Sequence, residues 1–310
     1  MGAGWVAGVT RARAMSSRCL GVSGARDVAG AATLADALRY LGATPYRRGL
    51  DAEAGLVGAQ RAVSATLLWH LRVLAGWQPR AGAVMLRLLA SGFEIANVDD
   101  HARVLLGGEW LPAVRPYRLG ALATAWPRLS EAGSPAELRA VLAGSAWGDP
   151  GADSPAAVAV GMRIAAAQRT AAAVPQAVPW AAGRLALLVG REVFLADRVL
   201  TTPSARRAAR VLGSEAMGAA SFPDFLRRLP VTARWVVDGI EAPADLWRAE
   251  TRWWIRLEQD GHELMRGSGL GSSPVVGAVA VLSADAWRVR GALELAARGG
   301  GSLEALDVLV

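Results

Sequence analysis

The sequence predicts an all-α protein, and three observations carry that reading. Apolar residues recur at helical spacing along almost the whole chain. Alternating runs rich in β-branched residues are scarce, with VTARWVVDGI (231–240) the one mild strand candidate. Proline and glycine fall at intervals typical of short helix-to-helix connections. Hydrophobic residues make up 53% of the 310 and charged residues 20%, so a sizeable core is expected. Much of that apolar share is alanine, which favours helix and close helix approach but buries less area than leucine.

Taken in order, the opening MGAGWVAGVTRARAM lacks a long apolar run with a small-residue exit, so no signal peptide is expected. It also lacks the hydroxyl that myristoylation requires at the sixth position. Leu67, Leu68, Leu71 and Leu74 mark one face of a helix from about Asp51 to Ala75. Val84, Leu88 and Leu89 mark another after Pro79. Trp180, Leu185, Leu188, Val193 and Leu195 continue the pattern mid-chain, and Leu246, Trp253, Trp254, Leu257 and Leu264 mark a long helix after Pro243. Linkers are expected at 107–118, 147–155, 200–204 and 267–274. The last has a G-x-G-x-G look but follows a helix, so it reads as a flexible loop. The best apolar runs, VVGAVAVL (275–282) and LALLVG (185–190), fall short of the roughly 20 residues that span a bilayer. A soluble, cytoplasmic protein is the expectation.

One unit recurs three times. TLADALRYLGATPY begins at Thr33, SPAELRAVLAGSAW at Ser134 and SFPDFLRRLPVTARW at Ser221. Each opens with a hydroxyl residue followed three later by an acid: Asp36, Glu137 and Asp224. That is the start of a capped helix, with each cap contributing about 1 kcal/mol. The inward stripe is Ala37 and Leu41, Leu138 and Leu142, Phe225 and Leu229. A hydroxyl follows at Thr44, Ser145 and Thr232, then an aromatic at Tyr46, Trp147 and, one residue displaced, Trp235. A single capped amphipathic helix is commonplace; the shared trailing hydroxyl and aromatic are not. The starts lie too far apart for a solenoid and fit three helical subdomains.

The net charge is +7, and every one of the 34 basic residues is arginine. A biased coding composition explains that, and the arginines are scattered rather than gathered in a tract. Candidate chemistry is thin. The histidines are His70, His101 and His262, none at i, i+4 from another. Asp99-Asp100-His101 are consecutive on a helix and point in different directions, so they read as a solvated face. Glu258 to Glu263 (EQDGHE) reads as a helix end with a turn at Gly261. Cys19 is the lone cysteine, which excludes an internal disulfide. Beside Arg18 it reads as a small buried residue rather than a reactive thiol. Without lysine there is no P-loop. No catalytic, cofactor-binding or metal-ligating residues are assigned, and no cofactor is expected. On the long helix Trp247 and Trp254 fall on one face and read as core, leaving Trp253 as the contact residue.

Three stretches resemble the C subunit of bacterial and archaeal A/V-type rotary ATPases, homologous to the d subunit of eukaryotic vacuolar ATPases. VAGVTRARAMSSRCL is similar to that family's A-R-V-R-A-L-x-S-R-L-L helix at Arg11, Arg13, Ser17, Arg18 and Leu20. TLADALRYLGATPY resembles its E-E-L-x-x-x-L-x-x-T-P-Y element through Thr44, Pro45 and Tyr46. FEIANVDDHARVLLGG resembles its aromatic-D-V-x-N-L-K-x-L-L-R-G helix at Phe93, Asn97 and Gly107, and RVRGALELAARGG stands near its closing N-L-R-x-I-A-R-G. The chain departs from the pattern at Glu94, Asp99 and Ala292.

The resemblance implies three similar helical subdomains in a pseudo-threefold funnel, here 1–108, 109–200 and 201–310. It implies a non-catalytic coupler that joins central stalk subunits to the proteolipid ring. Such a protein is peripheral to the cytoplasmic face of the plasma membrane through that ring, and it does not bind nucleic acid. Arg11, Arg13, Arg18, Tyr46, Asn97 and Trp253 are the expected partner contacts. Two other readings stand beside it. One is an α-helical enzyme using His101 with Asp99 and Asp100, or Glu258 with His262; the other is an arginine-rich nucleic-acid binder.

Overall fold

The computed structural model describes residues 3–107, 115–267 and 269–300. Among these every regular element is helical and no strand occurs. The first half of the chain carries α1 (Ala3–Ser16), α2 (Gly21–Ala29), α3 (Leu34–Leu41), α4 (Leu56–Gly76), α5 (Arg80–Leu89), α6 (Ser91–Leu105), α7 (Trp126–Leu129) and α8 (Pro135–Ala143). The second half carries α9 (Pro155–Ala173), α10 (Val178–Val189), α11 (Thr202–Leu212), α12 (Ser214–Met217), α13 (Phe222–Arg228), α14 (Val231–Arg234), α15 (Leu246–Arg266) and α16 (Ser272–Ala297).

Local chemistry explains the boundaries. The three repeat helices α3, α8 and α13 start where the caps predict. Thr33, Ser134 and Ser221 each accept the backbone N–H of the acid three residues on, at 3.2, 3.2 and 3.3 Å. Glu137 also reaches back to the N–H of Gly133 at 2.8 Å, a variant of the reciprocal capping box. α4 begins at Leu56 rather than Asp51, because the Asp51 carboxylate takes the N–H of Glu53 and holds a turn there. The strand candidate at 231–240 is α14 followed by a 3₁₀ turn over Trp235–Val237. Val236 and Val237 are buried in succession, where a strand with one covered face would alternate. After α10 the chain loosens into a π-helical turn over Gly190–Leu195, which leaves Leu195 exposed instead of continuing the apolar stripe.

The chain divides into two compact units: Met1–Ala83 with Trp254–Val310, and Val84–Trp253. The boundary expected at 108 falls on residues outside those described. In the first unit α16 is the axis. It is buried along most of its length, and Val289 and Leu293 share a core with Val28 of α2, Leu38 and Leu41 of α3 and Val63 of α4. The VVGAVAVL run, earlier in the same helix, is apolar on all sides because each of its residues is buried. No single helix among the described residues is long and apolar enough to cross a membrane. α16 meets α15 at a glycine pair. A Cβ on Gly277 would lie 2.5 Å from the Gly261 carbonyl oxygen, and one on Gly261 would lie 2.9 Å from the Ala280 Cβ. Gly261 is therefore a packing residue inside α15 and not the turn expected from the sequence.

The second unit has two cores. Val98, Leu129, Leu138, Leu142, Trp147 and Met162 join α6, α7, α8 and α9. Ile164, Leu185, Leu212, Phe225, Leu229 and Val236 join α9, α10, α11, α13 and the turn after α14. The expected linker at 147–155 is tied down. Asp149 takes both Nε (2.9 Å) and Nη2 (3.1 Å) of Arg139 and the N–H of Gly151 (2.8 Å). Thr201 donates to the Pro150 carbonyl at 2.5 Å, and Arg207 donates to that of Asp149 at 2.9 Å. The 200–204 segment is barely a linker, since α11 already begins at Thr202 with Pro203 in its first turn.

Two predictions follow from this packing. Gly277→Ala forces backbone apart and lowers stability by about 1–3 kcal/mol in chemical denaturation. Gly92→Ala, with nothing within 4 Å of the added methyl, is neutral or stabilising by up to about 1 kcal/mol. The Arg139 hydrogen bonds, helped by the Gly151 N–H, hold Asp149 at about 2, below its ordinary 3.8. Its contribution to stability is complete above 3.8 and is lost as pH falls through about 2. A carboxylate-resolved NMR titration therefore gives Asp149 a midpoint of about 2, and a midpoint of 3.8 would remove the bidentate pair.

Candidate functional site

The repeat ends are the most distinctive constellation in the chain. After α3, Thr44 Oγ1 donates to the Leu41 carbonyl (2.7 Å) and accepts the N–H of Tyr46 (3.2 Å). After α8, Ser145 Oγ does the same with the Leu142 carbonyl (2.8 Å) and the N–H of Trp147 (3.1 Å). The hydroxyl thus fixes a tight turn that aims the aromatic inward. Both rings end on a buried carboxylate. Tyr46 Oη donates to Asp285 Oδ2 at 2.7 Å, and Trp147 Nε1 donates to Glu94 Oε1 at 2.9 Å.

Each carboxylate also takes two successive main-chain N–H groups. Asp285 accepts from Leu20 (3.1 Å) and Gly21 (2.7 Å), at the start of α2. Glu94 accepts from Thr124 (2.5 Å) and Ala125 (2.7 Å), just before α7. Asp285 is 2% exposed and Glu94 1%, so these bonds replace water entirely. An arginine stands near each pair. Arg288, also buried, is paired with Glu258, while Arg169 lies over the Trp147 ring at 5.1 Å. In the third copy Trp235 Nε1 donates locally, to the Thr232 carbonyl at 2.9 Å.

This arrangement ties separate segments together. With three donors apiece, the two carboxylates are committed as acceptors. Burial, then the charge of Asp285, raises the Tyr46 hydroxyl well above its usual range. Burial first, then Asp285 and Glu258, also raises the Cys19 thiol, so it stays protonated. Asp99 pairs with Arg163 at 2.5 Å, Asp100 with Arg103 at 2.8 Å, and His101 Nε2 lies 2.9 Å from the Ala132 carbonyl. Glu258 is paired with Arg288, while His262 is exposed. Among the described residues no group of three His, Cys, Asp or Glu converges as a metal site.

The expected contact residues separate into two sets. Arg11, Arg13 and Arg18 are exposed, with Arg13 donating to the Gly267 carbonyl at 2.7 Å. Tyr46 and Asn97 are interior. Asn97 exchanges two hydrogen bonds with the backbone of Tyr117, at 2.9 and 2.7 Å, which orders the chain entering the α7 region. Trp253 is half-buried and donates to the Trp180 carbonyl at 2.8 Å. The exposed tryptophan of α15 is Trp247, at 51%, with the Arg248 guanidinium 5.2 Å from its ring centre. The reason is the stripe. Leu246, Ala249, Trp253 and Leu257 fall on one helical face and turn inward, which sends Trp247 out. Trp254 stacks on Trp287 at 5.1 Å.

Sequence reading missed Asp285 and the roles of Glu94 and Trp147. The available signal was a lone acid inside an otherwise apolar helical stretch, as in VLSADAW and GFEIANV. In comparisons with known proteins, no family model matches the chain and no curated protein matches it.

The two locks predict a measurable coupling. Tyr46→Phe removes a hydrogen bond to a buried charge and costs about 2 kcal/mol in chemical denaturation. In an Asp285→Asn background the same change costs less than half as much, because the charge it served is gone. Arg39→Ala on the surface of α3 moves stability by less than about 0.5 kcal/mol.

Proposed function

We propose that the chain is a non-catalytic coupling subunit of a rotary A/V-type ATPase, an adaptor between central stalk subunits and a membrane proteolipid ring. The observation that carries this reading is the recurring unit of cap, apolar stripe, hydroxyl turn and aromatic. It recurs within an all-helical chain whose motifs follow the order of that family's. Two of its copies share an inward aromatic on a buried carboxylate, which favours a common structural plan over three chance helices. A torque-bearing adaptor needs stiffness and broad contact surfaces rather than a reactive group. The carboxylates of Asp285 and Glu94, each held by three fixed donors, supply stiffness. The proposal includes the funnel of three subdomains and a location on the cytoplasmic face of the membrane. It includes partner contacts through the exposed Arg11, Arg13 and Arg18.

Purification of the tagged protein from its native membrane tests the reading. The expected result is recovery of a proteolipid and an elongated coiled-coil stalk subunit in fixed proportion. Recovery of neither under conditions that keep other membrane complexes intact would contradict it.

A further inference from the structure

The first unit carries a belt of arginine and tryptophan along α4. The Arg48 guanidinium lies 3.9 Å from the centre of the Trp69 ring, and that of Arg11 lies 5.2 Å from Trp77, at the end of the same helix. The tryptophans are eight residues apart, about 12 Å along a helix. Between them stands His70, its ring 5.2 Å from that of Trp69. Burial, then Arg48, holds that imidazole below its usual range. The Leu20 N–H and the Tyr46 hydroxyl meet on the one Asp285 carboxylate, which brings Arg18 and Arg48, each two residues from one of those donors, to the same region. Arg11, Arg18, Arg48, Arg72 and Arg80 are all exposed, and none forms an ion pair among the described residues. The first unit as a whole holds fifteen arginines and eleven acidic side chains, an excess of four. Of the four acids within residues 1–83, Asp36 is paired with Arg39, Asp27 takes the Tyr40 hydroxyl and Asp51 caps its own turn.

We infer that this belt docks the protein on a membrane surface rich in anionic phospholipid headgroups. A guanidinium lying on an indole turns its N–H edges outward, where phosphate oxygens are met. The stacked rings give those faces to arginine and not to nucleotide bases, which weighs against single-stranded nucleic acid. Trp77 is 49% exposed and suits the headgroup level, where tryptophan is enriched. Exposed cations drawn from several elements around the tryptophans of α4 meet a polyanionic surface without needing a groove. The inference stands whether or not the chain couples a rotary ATPase, because its test uses the purified chain and protein-free vesicles.

The test is co-sedimentation of the full chain with vesicles of phosphatidylcholine alone or mixed with phosphatidylglycerol. Binding is expected to the mixed vesicles, to weaken steeply with added salt, and to be absent from neutral ones. Arg11→Gln with Arg48→Gln lowers the affinity by roughly tenfold or more. Arg18→Gln with Arg72→Gln, which disturbs no stacked ring, lowers it similarly. Arg206→Gln with Arg210→Gln on α11 leaves it unchanged, and circular dichroism checks each fold. Equal binding to neutral vesicles, or an equal loss in the α11 pair, overturns the inference. So does binding to a DNA duplex without binding to anionic vesicles, which assigns the belt to nucleic acid.

Discussion

The structure depends on a buried carboxylate that accepts two successive backbone N–H groups and one aromatic donor. A charge removed from water is costly unless its acceptor sites are filled, and here three donors fill them. The arrangement occurs once in each unit, at Asp285 and at Glu94. Each joins segments that are remote in sequence. Asp285 on the last helix holds Leu20 and Gly21 at the start of α2, together with Tyr46 after α3. The first repeat is therefore completed by α16. Glu94 on α6 needs nothing so distant, since its three donors lie 30, 31 and 53 positions on.

Around these locks the packing is that of a chain rich in small residues. α16 and α15 approach until Gly277 and Gly261 leave no room for a methyl group. Small side chains bury little area each, so close approach and the hydrogen-bonded carboxylates Asp285 and Glu94 have to supply what bulky leucines would otherwise give. Arginine suits the same economy on the surface. It holds loops, as at Asp149, and stands over tryptophan at Trp69, Trp77 and Trp247.

Helical periodicity made the fold class legible, and side-chain hydroxyls made the starts of α3, α8 and α13 legible, because both are local signals. The T-P-Y end was legible as the close of a unit, but its direction was not. Whether Tyr46 faces a partner or the interior depends on Asp285, 239 positions away. Trp247 and Trp253 were read the wrong way round because two face assignments fit α15 equally well until Leu246 and Ala249 are seen to be buried. Gly261 looked like a turn because glycine weakens helices, yet here its missing Cβ is what the neighbouring helix needs. The belt on α4 left no trace in local patterns, since Arg48 reaches Trp69 and Arg11 reaches Trp77 only in the folded chain. Function remains the most remote level.

The central claim is that the two carboxylates hold their loops as firmly as the helices hold themselves. Native-state hydrogen exchange at the amides of Leu20, Gly21, Thr124 and Ala125 tests it most directly. These amides lie at or before helix starts, where N–H groups ordinarily exchange through local fraying. The account predicts protection close to that of mid-helix amides in α16 and α9, opening only with global unfolding. Exchange of those four amides by local fluctuation, while the mid-helix amides stay protected, would contradict it.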